Sequence, residues 1–198
     1  MRVTIFDYGA GNLHSLAKAL AVPGVELAID TDPLAATRTD LLVLPGVGNF
    51  TVAAERLAPA RGEVRDAIRA GLPTLGVCLG MQLLFDRSDE GTGEGLGVIP
   101  GCVTRLRAER VPQIGWNTVE CETDDLFAAA PLDIAYYANG FVCRPADPSC
   151  VVAWTTHGND RFPAAVRSGR ALGVQFHPEK SSAAGVRFLR AFLTGLGA

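Results

Sequence analysis

A chain of 198 residues, 48% hydrophobic, 20% charged and 7% aromatic, can bury about 70% of its unfolded surface, which excludes disordered and fibrous polymers and predicts one domain over residues 1–198. Eighteen basic against 21 acidic residues leave a net charge of −3, and Arg56, Arg61, Arg65 and Arg69 stand singly, so no nucleic acid or anionic membrane surface is expected as a partner. The apolar run before Asp7 is too short for a signal peptide and none nears the roughly 18 residues that span a bilayer, so a cytoplasmic location is expected.

Val3–Phe6 reads as a strand followed by the turn Gly9-Ala10-Gly11, with Asn12 placed to cap a helix whose Leu13, Leu16, Ala17 and Leu20 recur at helical spacing. Pro23-Gly24 stops that helix, and Val25–Ile29 reads as a second strand. Leu41–Leu44 is a continuous apolar run ending in Pro45-Gly46, the pattern of a strand buried on both faces. Helical stretches follow at Ala53–Leu57 and Glu63–Ala70, then another buried strand at Thr74–Val77. The alternation predicts an α/β fold whose central, mostly parallel sheet is flanked by helices.

The second half is richer in short strand-like runs: Val98–Ile99, Val103–Leu106, Ile114–Val119, Ile134–Tyr137, Phe141–Arg144, Val151–Thr155, Ala164–Val166 and Leu172–Phe176. Their close spacing predicts antiparallel strands added to the sheet in the C-terminal half, before a closing helix over Ala184–Leu193. Five cysteines, an odd number with no Cys-x-x-Cys, argue against a disulfide framework. His14, His157 and His177 lie far apart without zinc spacing, so neither a metal nor a cofactor is expected.

Gly76-Val77-Cys78-Leu79-Gly80 falls where a buried strand meets a helix, the nucleophile-elbow pattern with cysteine at the nucleophile position. The turn is tight, and the glycines keep side chains off sheet and helix. The sulfur then faces the amino end of the helix, whose dipole and free N–H groups favour a thiolate, and the Leu79 N–H becomes an oxyanion donor. A small buried core thiol is the other reading of Cys78, and from the residues alone both stay open.

A cysteine nucleophile requires a base. His177 follows the buried run Leu172–Val174, and Pro178 biases it toward extended backbone. Residues two apart on an extended chain project to one side, so Glu179 can accept the imidazole N–H and fix its tautomer. A histidine packed at a strand end beside a surface glutamate is the competing reading. Pro45-Gly46-Val47-Gly48 closes a strand expected beside that of Cys78, where glycines let a backbone N–H approach a ligand or flip at little steric cost. Two other glycine signals do not stand: Gly9-x-Gly11 has His14 where a dinucleotide fingerprint needs glycine, and the Gly91–Gly97 loop, expected to follow a helix, lacks the Lys-Ser/Thr of a phosphate loop.

Taken together, Gly76-Val77-Cys78-Leu79-Gly80-Met81-Gln82 and His177-Pro178-Glu179 resemble the class I glutamine amidotransferase domain. Asp7–Asn12, Pro45–Gly48, Pro112-Gln113-Ile114-Gly115-Trp116-Asn117 and Gln175–Ser182 are most similar to the glutaminase subunits of imidazole glycerol phosphate synthase in that family, and the match runs from Val3 to about Leu193. The resemblance implies that Cys78 attacks the side-chain amide of L-glutamine, that His177 protonates the departing ammonia and then activates water, and that Glu179 orients His177. It implies that Gln82 and Glu90 hold the amino-acid end of the substrate, helped by backbone around Gly140 and Phe141, and that the Gly46-Val47-Gly48 backbone and Leu79 serve the oxyanion.

The implied partner is a (β/α)8 cyclase subunit, joined as a heterodimer, that receives the ammonia; Gly11, Asn12, Tyr136 and Lys180 match positions near that interface. Partner and nucleotide binding are expected to turn the Gly46–Gly48 peptide inward. The chain departs from the family pattern at Tyr136-Tyr137-Ala138-Asn139-Gly140-Phe141, where Tyr-Phe-Val-His-Ser-Tyr is common, and at Gln113-Ile114, where His-Met is frequent. A glutaminase serving another synthase, such as that of pyridoxal phosphate, and a catalytically idle regulatory subunit are the competing readings. Gly115-Trp116-Asn117 and the Gly46-Val47-Gly48 turn argue against the first, and the complete triad against the second.

Overall fold

The computed structural model describes residues 1–9, 13–46, 48–121 and 124–197. Strands β1 (Arg2–Phe6), β2 (Glu26–Asp30), β3 (Leu41–Leu44) and β4 (Thr74–Val77) alternate with helices α1 (His14–Leu20), α2 (Pro33–Ala36), α3 (Phe50–Leu57) and α4 (Arg61–Arg69). The remaining elements are helices α5 (Leu79–Gln82), α6 (Asp125–Ala129) and α7 (Ser182–Gly195), and strands β5 (Arg87–Ser88), β6 (Gly101–Arg105), β7 (Gln113–Thr118), β8 (Glu120–Cys121), β9 (Ile134–Asn139), β10 (Phe141–Pro145), β11 (Val151–His157), β12 (Asp160–Ser168) and β13 (Ala171–Val174). Among the described residues no helix is long and apolar enough to cross a membrane.

The main sheet has the order β2-β1-β3-β4-β13-β12-β11-β8. β2, β1, β3, β4 and β13 run parallel, and β12, β11 and β8 continue it antiparallel. Alternation within the apolar runs divides the interior into two layers. Leu41 and Val43 join Leu75, Val77, Phe188 and Leu189 on the face covered by α1 and α7, whereas Leu42 and Leu44 join Phe50, Leu57, Val64 and Ile68 on the face covered by α3 and α4. Each large aliphatic or aromatic side chain so buried contributes about 1.5–3 kcal/mol. This is why β3 and β4 can be apolar along their whole length.

The antiparallel strands expected in the second half are present, but only β12, β11 and β8 join the main sheet. β5, β6 and β10 form a separate three-stranded sheet, and among the described residues β7 pairs with β9 alone, as an antiparallel ribbon. The ribbon strands alternate buried and exposed residues, so one face stays open and they cannot substitute for core strands buried on both sides. Val98–Ile99 forms no strand; both side chains are buried in an irregular segment that Pro100 ends. The Gly91–Gly97 loop leaves the two-residue β5 rather than a helix. Helix α1 has Leu13 at its N-cap and no side-chain cap, and Asn12, expected there, lies outside the described residues.

The order of the sheet positions the site. Leu44 pairs with Gly76, and Val174 with Val77, so the carboxyl ends of β3, β4 and β13 lie side by side and deliver Gly46, Cys78 and His177 to one place. Gly80 makes this close fit possible: a Cβ there would lie 1.9 Å from the Leu44 carbonyl oxygen. Gly80→Ala is therefore expected to lower the urea unfolding free energy by about 3 kcal/mol or more. Gly62→Ala, on α4 where a Cβ meets nothing within 4 Å, is expected to raise it by about 0.5–1 kcal/mol.

Candidate active site

Cys78 has φ 48° and ψ −102°, a conformation that L-residues rarely adopt and that costs on the order of 1–3 kcal/mol. Its neighbours hold it there. The Cys78 N–H donates to the Val174 carbonyl at 2.7 Å, and the Gln82 N–H returns to the Cys78 carbonyl at 3.1 Å. A Cβ on Gly76 would sit 2.6 Å from the Gly80 oxygen, so both glycines of the elbow answer to backbone packed against backbone. Helix α5 is only four residues long, a single turn. Its first N–H groups, Leu79 among them, have no partner within the helix, and a single turn supplies little of the helix dipole expected from sequence.

The candidate base, His177, comes from the neighbouring strand end. The His177 N–H donates to the Tyr136 carbonyl at 2.8 Å, and the Ser181 hydroxyl donates to the His177 carbonyl at 2.7 Å while accepting the Tyr136 N–H at 2.9 Å. His177 Nδ1 lies 2.8 Å from Glu179 Oε1. A carboxylate only accepts, so Nδ1 carries the proton and Nε2 is left for Cys78. The pairing was expected through an extended chain; instead Pro178–Lys180 is a 3₁₀ turn that brings Glu179 back under the ring. Burial disfavours the charged imidazole, yet hydrogen bonds to Cys78 and Glu179, with their charges, outweigh it and raise the His177 pKa from 6.5 to about 9.

A cavity of about 260 Å³ opens on these groups. It is lined by the predicted residues Gly46, Gly48, Cys78, Leu79, Gln82, Glu90, Gly140, Phe141 and His177, by Lys180 at its rim, and by Ala138 and Asn139. A Cβ on Gly46 would meet His177 Cε1 and the Val77 oxygen, each at 2.9 Å. Glu90 is held by the Phe50 N–H at the start of α3, at 3.2 Å from Oε2, and Gln82 Nε2 donates to the Phe141 carbonyl at 3.2 Å. Tyr136 does not line the cavity; its backbone holds His177, and its ring meets Trp116 edge-on at 6.1 Å. Val47, Gly11 and Asn12 lie outside the described residues.

Three contributors went unpredicted. Asn139 donates to the Phe141 carbonyl at 3.2 Å. Gln175 Nε2 lies 3.5 Å from Cys78 Sγ. Tyr8, buried beneath the Gly46–Gly48 turn, donates its hydroxyl to the Pro45 carbonyl; burial and then the charges of Cys78 and Asp7 push its phenol well above the ordinary range, so it remains a donor. Tyr8 and Gln175 carry no spacing signal, because they act through fold contacts 37 and 97 residues away, whereas Asn139 reaches a carbonyl two residues along the chain. A larger cavity, about 1050 Å³, lies between α6 and α7 beside Val119 and Arg167 and shares none of the lining residues of this one. His157 Nε2 lies 3.0 Å from the Arg110 carbonyl, which suits a structural role.

A nucleophile elbow at a parallel strand end, with a His-Glu pair one strand away, is an arrangement suited to acyl transfer through a cysteine. The chain belongs to the class-I glutamine amidotransferases: the family described as "Glutamine amidotransferase class-I" matches residues 4–196. Its curated relatives include the imidazole glycerol phosphate synthase subunit HisH of Symbiobacterium thermophilum, 47% identical over 95% of this chain and 91% of the relative. The subunit of the same name from Synechococcus sp. (strain JA-3-3Ab) is 42% identical over 98% of this chain and 93% of the relative. Among solved structures, PurLQS from Thermotoga maritima superposes with a TM-score of 0.74 at 22% identity, covering 98% of each chain. A crystal structure described as a glutamine amidotransferase gives 0.73 at 22%, covering 99% of each. At that identity the likeness is one of fold.

Because the folded pKa of His177 stands above 6.5, its protonation stabilises the fold fully below about pH 6.5, and that contribution is lost as pH rises through about 9. Glu179→Gln removes one of the causes, so NMR titration of the His177 ring should give a midpoint below that of the parent. An unmoved midpoint would show that Glu179 does not act on the ring.

Proposed function

We propose that Cys78, His177 and Glu179 form the triad by which this glutamine amidotransferase hydrolyses L-glutamine and passes the ammonia on within imidazole glycerol phosphate synthase. The observation that carries the reading is the strained Cys78 elbow, its sulfur facing a buried imidazole locked by a carboxylate, inside a cavity of amino-acid size. In the reacting form the Cys78 proton has passed to His177. Sγ attacks the side-chain amide carbon, and the carbonyl electrons move onto oxygen, where the Leu79 N–H and the Gly46–Gly48 backbone receive them. One such donor is worth roughly 3 kcal/mol, or about a hundredfold in rate. His177 gives its Nε2 proton to the amide nitrogen, the C–N bond breaks, and ammonia leaves a thioester. Water then attacks as His177 takes its proton, and the C–S bond breaks to give glutamate and the thiolate.

Glu90 suits the substrate's ammonium as a charge-assisted partner, with Gln82 and the backbone at Gly140 and Phe141 beside it. No cofactor enters this cycle. The whole chain serves as one domain, and a cytoplasmic location fits a pathway of small soluble metabolites.

The ribbon supports the partner reading. Ile114, Trp116 and Ile134 are 69%, 56% and 54% exposed, and the register sets Ile114 against Ala138 and Trp116 against Tyr136. Ala138 lines the cavity, so an apolar surface borders the point where ammonia emerges, the placement a docked cyclase subunit requires. Lys180 lies on the same rim. In a heterodimer sealed there, released ammonia reaches the second active site without meeting water.

Cys78→Ala should abolish glutamate release by the complex and leave its ammonium-dependent synthesis intact; loss of both activities, or of neither, contradicts the assignment. Trp116→Glu should weaken association with the cyclase subunit by about thirtyfold in calorimetry, the scale of an interfacial hot spot, and leave the isolated fold unchanged.

A further inference from the structure

We propose that Gln175 is a further catalytic residue: its side-chain amide N–H donates to the Cys78 sulfur and holds it as a thiolate. The proposal rests on Cys78 being the nucleophile and assigns a group outside the triad to the same sulfur. Gln175 follows β13, directly before Phe176 and His177, with its backbone N–H on the Ala164 carbonyl at 2.8 Å. Its side chain is fully buried and reaches back across the strand end, placing Nε2 3.5 Å from Sγ.

An amide can turn either way round, and the surrounding bonds decide which. The Phe141 carbonyl accepts from Asn139 Nδ2 and from Gln82 Nε2, each at 3.2 Å. A carbonyl cannot donate, so the Gln82 amino group faces it. The same Gln82 nitrogen lies 3.5 Å from Gln175 Oε1, which is thereby the acceptor, and the Gln175 amino group is left pointing at the sulfur. The relay thus runs from a backbone carbonyl through two side-chain amides to the nucleophile. Gln175 is fully buried behind Gln82 and Asn139, which line the cavity and are themselves almost wholly covered.

Among the described residues, the polar groups recorded against the sulfur are of different kinds. The Ala138 carbonyl, 4.0 Å away, can only accept and suits a neutral S–H. The imidazolium and the Gln175 N–H can both donate and suit the thiolate. A donor to the charged form favours ionisation. His177 surrenders its proton to ammonia during acylation, whereas Gln175 never does. When the thioester hydrolyses and sulfur departs with the electron pair, the Gln175 N–H is still there to receive it. The residue therefore acts in both halves of the cycle, as an aid to the nucleophile and then to the leaving group.

The test compares Gln175→Leu, which removes the donor, and Gln175→Glu, which sets a carboxylate against the sulfur. Alkylation of Cys78 by iodoacetamide is followed against pH in the full chain, by peptide mass spectrometry. In both variants the rate at neutral pH should fall about tenfold or more, with half-maximal reactivity moved to higher pH. In the unsubstituted chain, the side-chain amide protons of Gln175 should shift in NMR along the curve that Cys78 reactivity follows. Folded variants that alkylate like the parent overturn the proposal, as does an amide signal unmoved through that titration. If parental Cys78 reacts no faster than Cys102, the nucleophile reading itself fails; a fast parent matched by both variants sinks only the role of Gln175.

Discussion

The site depends on a backbone that cannot relax at Cys78. Left-handed geometry at a non-glycine residue is unfavourable in isolation, and here strand pairing to β13 on one side and the packing of α5 against β3 on the other hold it in place. Gly76 and Gly80 are where that packing is tightest, with backbone oxygens in the space a Cβ would fill. The same contacts that impose the strain also aim the sulfur outward, toward the ends of the flanking strands. Cys78, His177 and Gly46, the proposed nucleophile, base and oxyanion neighbour, thus share one origin in the parallel sheet. A change in the register of β3 or β13 against β4 would move all three apart.

Electrostatics follow from that placement. His177 is buried deeply enough for desolvation to favour the neutral ring, and it remains cationic because Glu179 lies behind it and Cys78 in front. The 3₁₀ turn at Pro178–Lys180 sets this geometry at little cost in chain length, and Ser181 fastens the same turn to the backbone of Tyr136. Tyr136 belongs to the ribbon whose open apolar face carries Trp116 and Ile134. Three hydrogen bonds therefore join the surface proposed for docking to the backbone of the base, so the ribbon and the triad form one mechanical unit.

The parallel half was legible in the sequence because strands buried on both faces are written as unbroken apolar runs, and Leu41–Leu44 and Thr74–Val77 fall where those runs lie. The elbow was legible for a related reason: two glycines around a cysteine at a strand end have few other uses. Pairing in the second half was not, since an alternating run such as Gln113–Thr118 records a face but not a neighbour, and the ribbon and the small sheet form from the same alternation that would extend the main one. Glu179 was found by an argument about extended chain that the 3₁₀ turn replaces. Gln175 and Tyr8 act through contacts between distant segments, for which local spacing carries no signature. Gly11, Asn12 and Val47, assigned to the interface and the oxyanion turn, lie outside the described residues.

The most direct measurement of the account is covalent trapping of the purified chain with its cyclase subunit by a glutamine-shaped diazoketone, located by peptide mass spectrometry. The expected result is a single adduct on Cys78, formed with loss of dinitrogen and suppressed by excess glutamine. Label spread over Cys102, Cys121 and Cys150, or an adduct on Cys78 that glutamine does not protect, would contradict it.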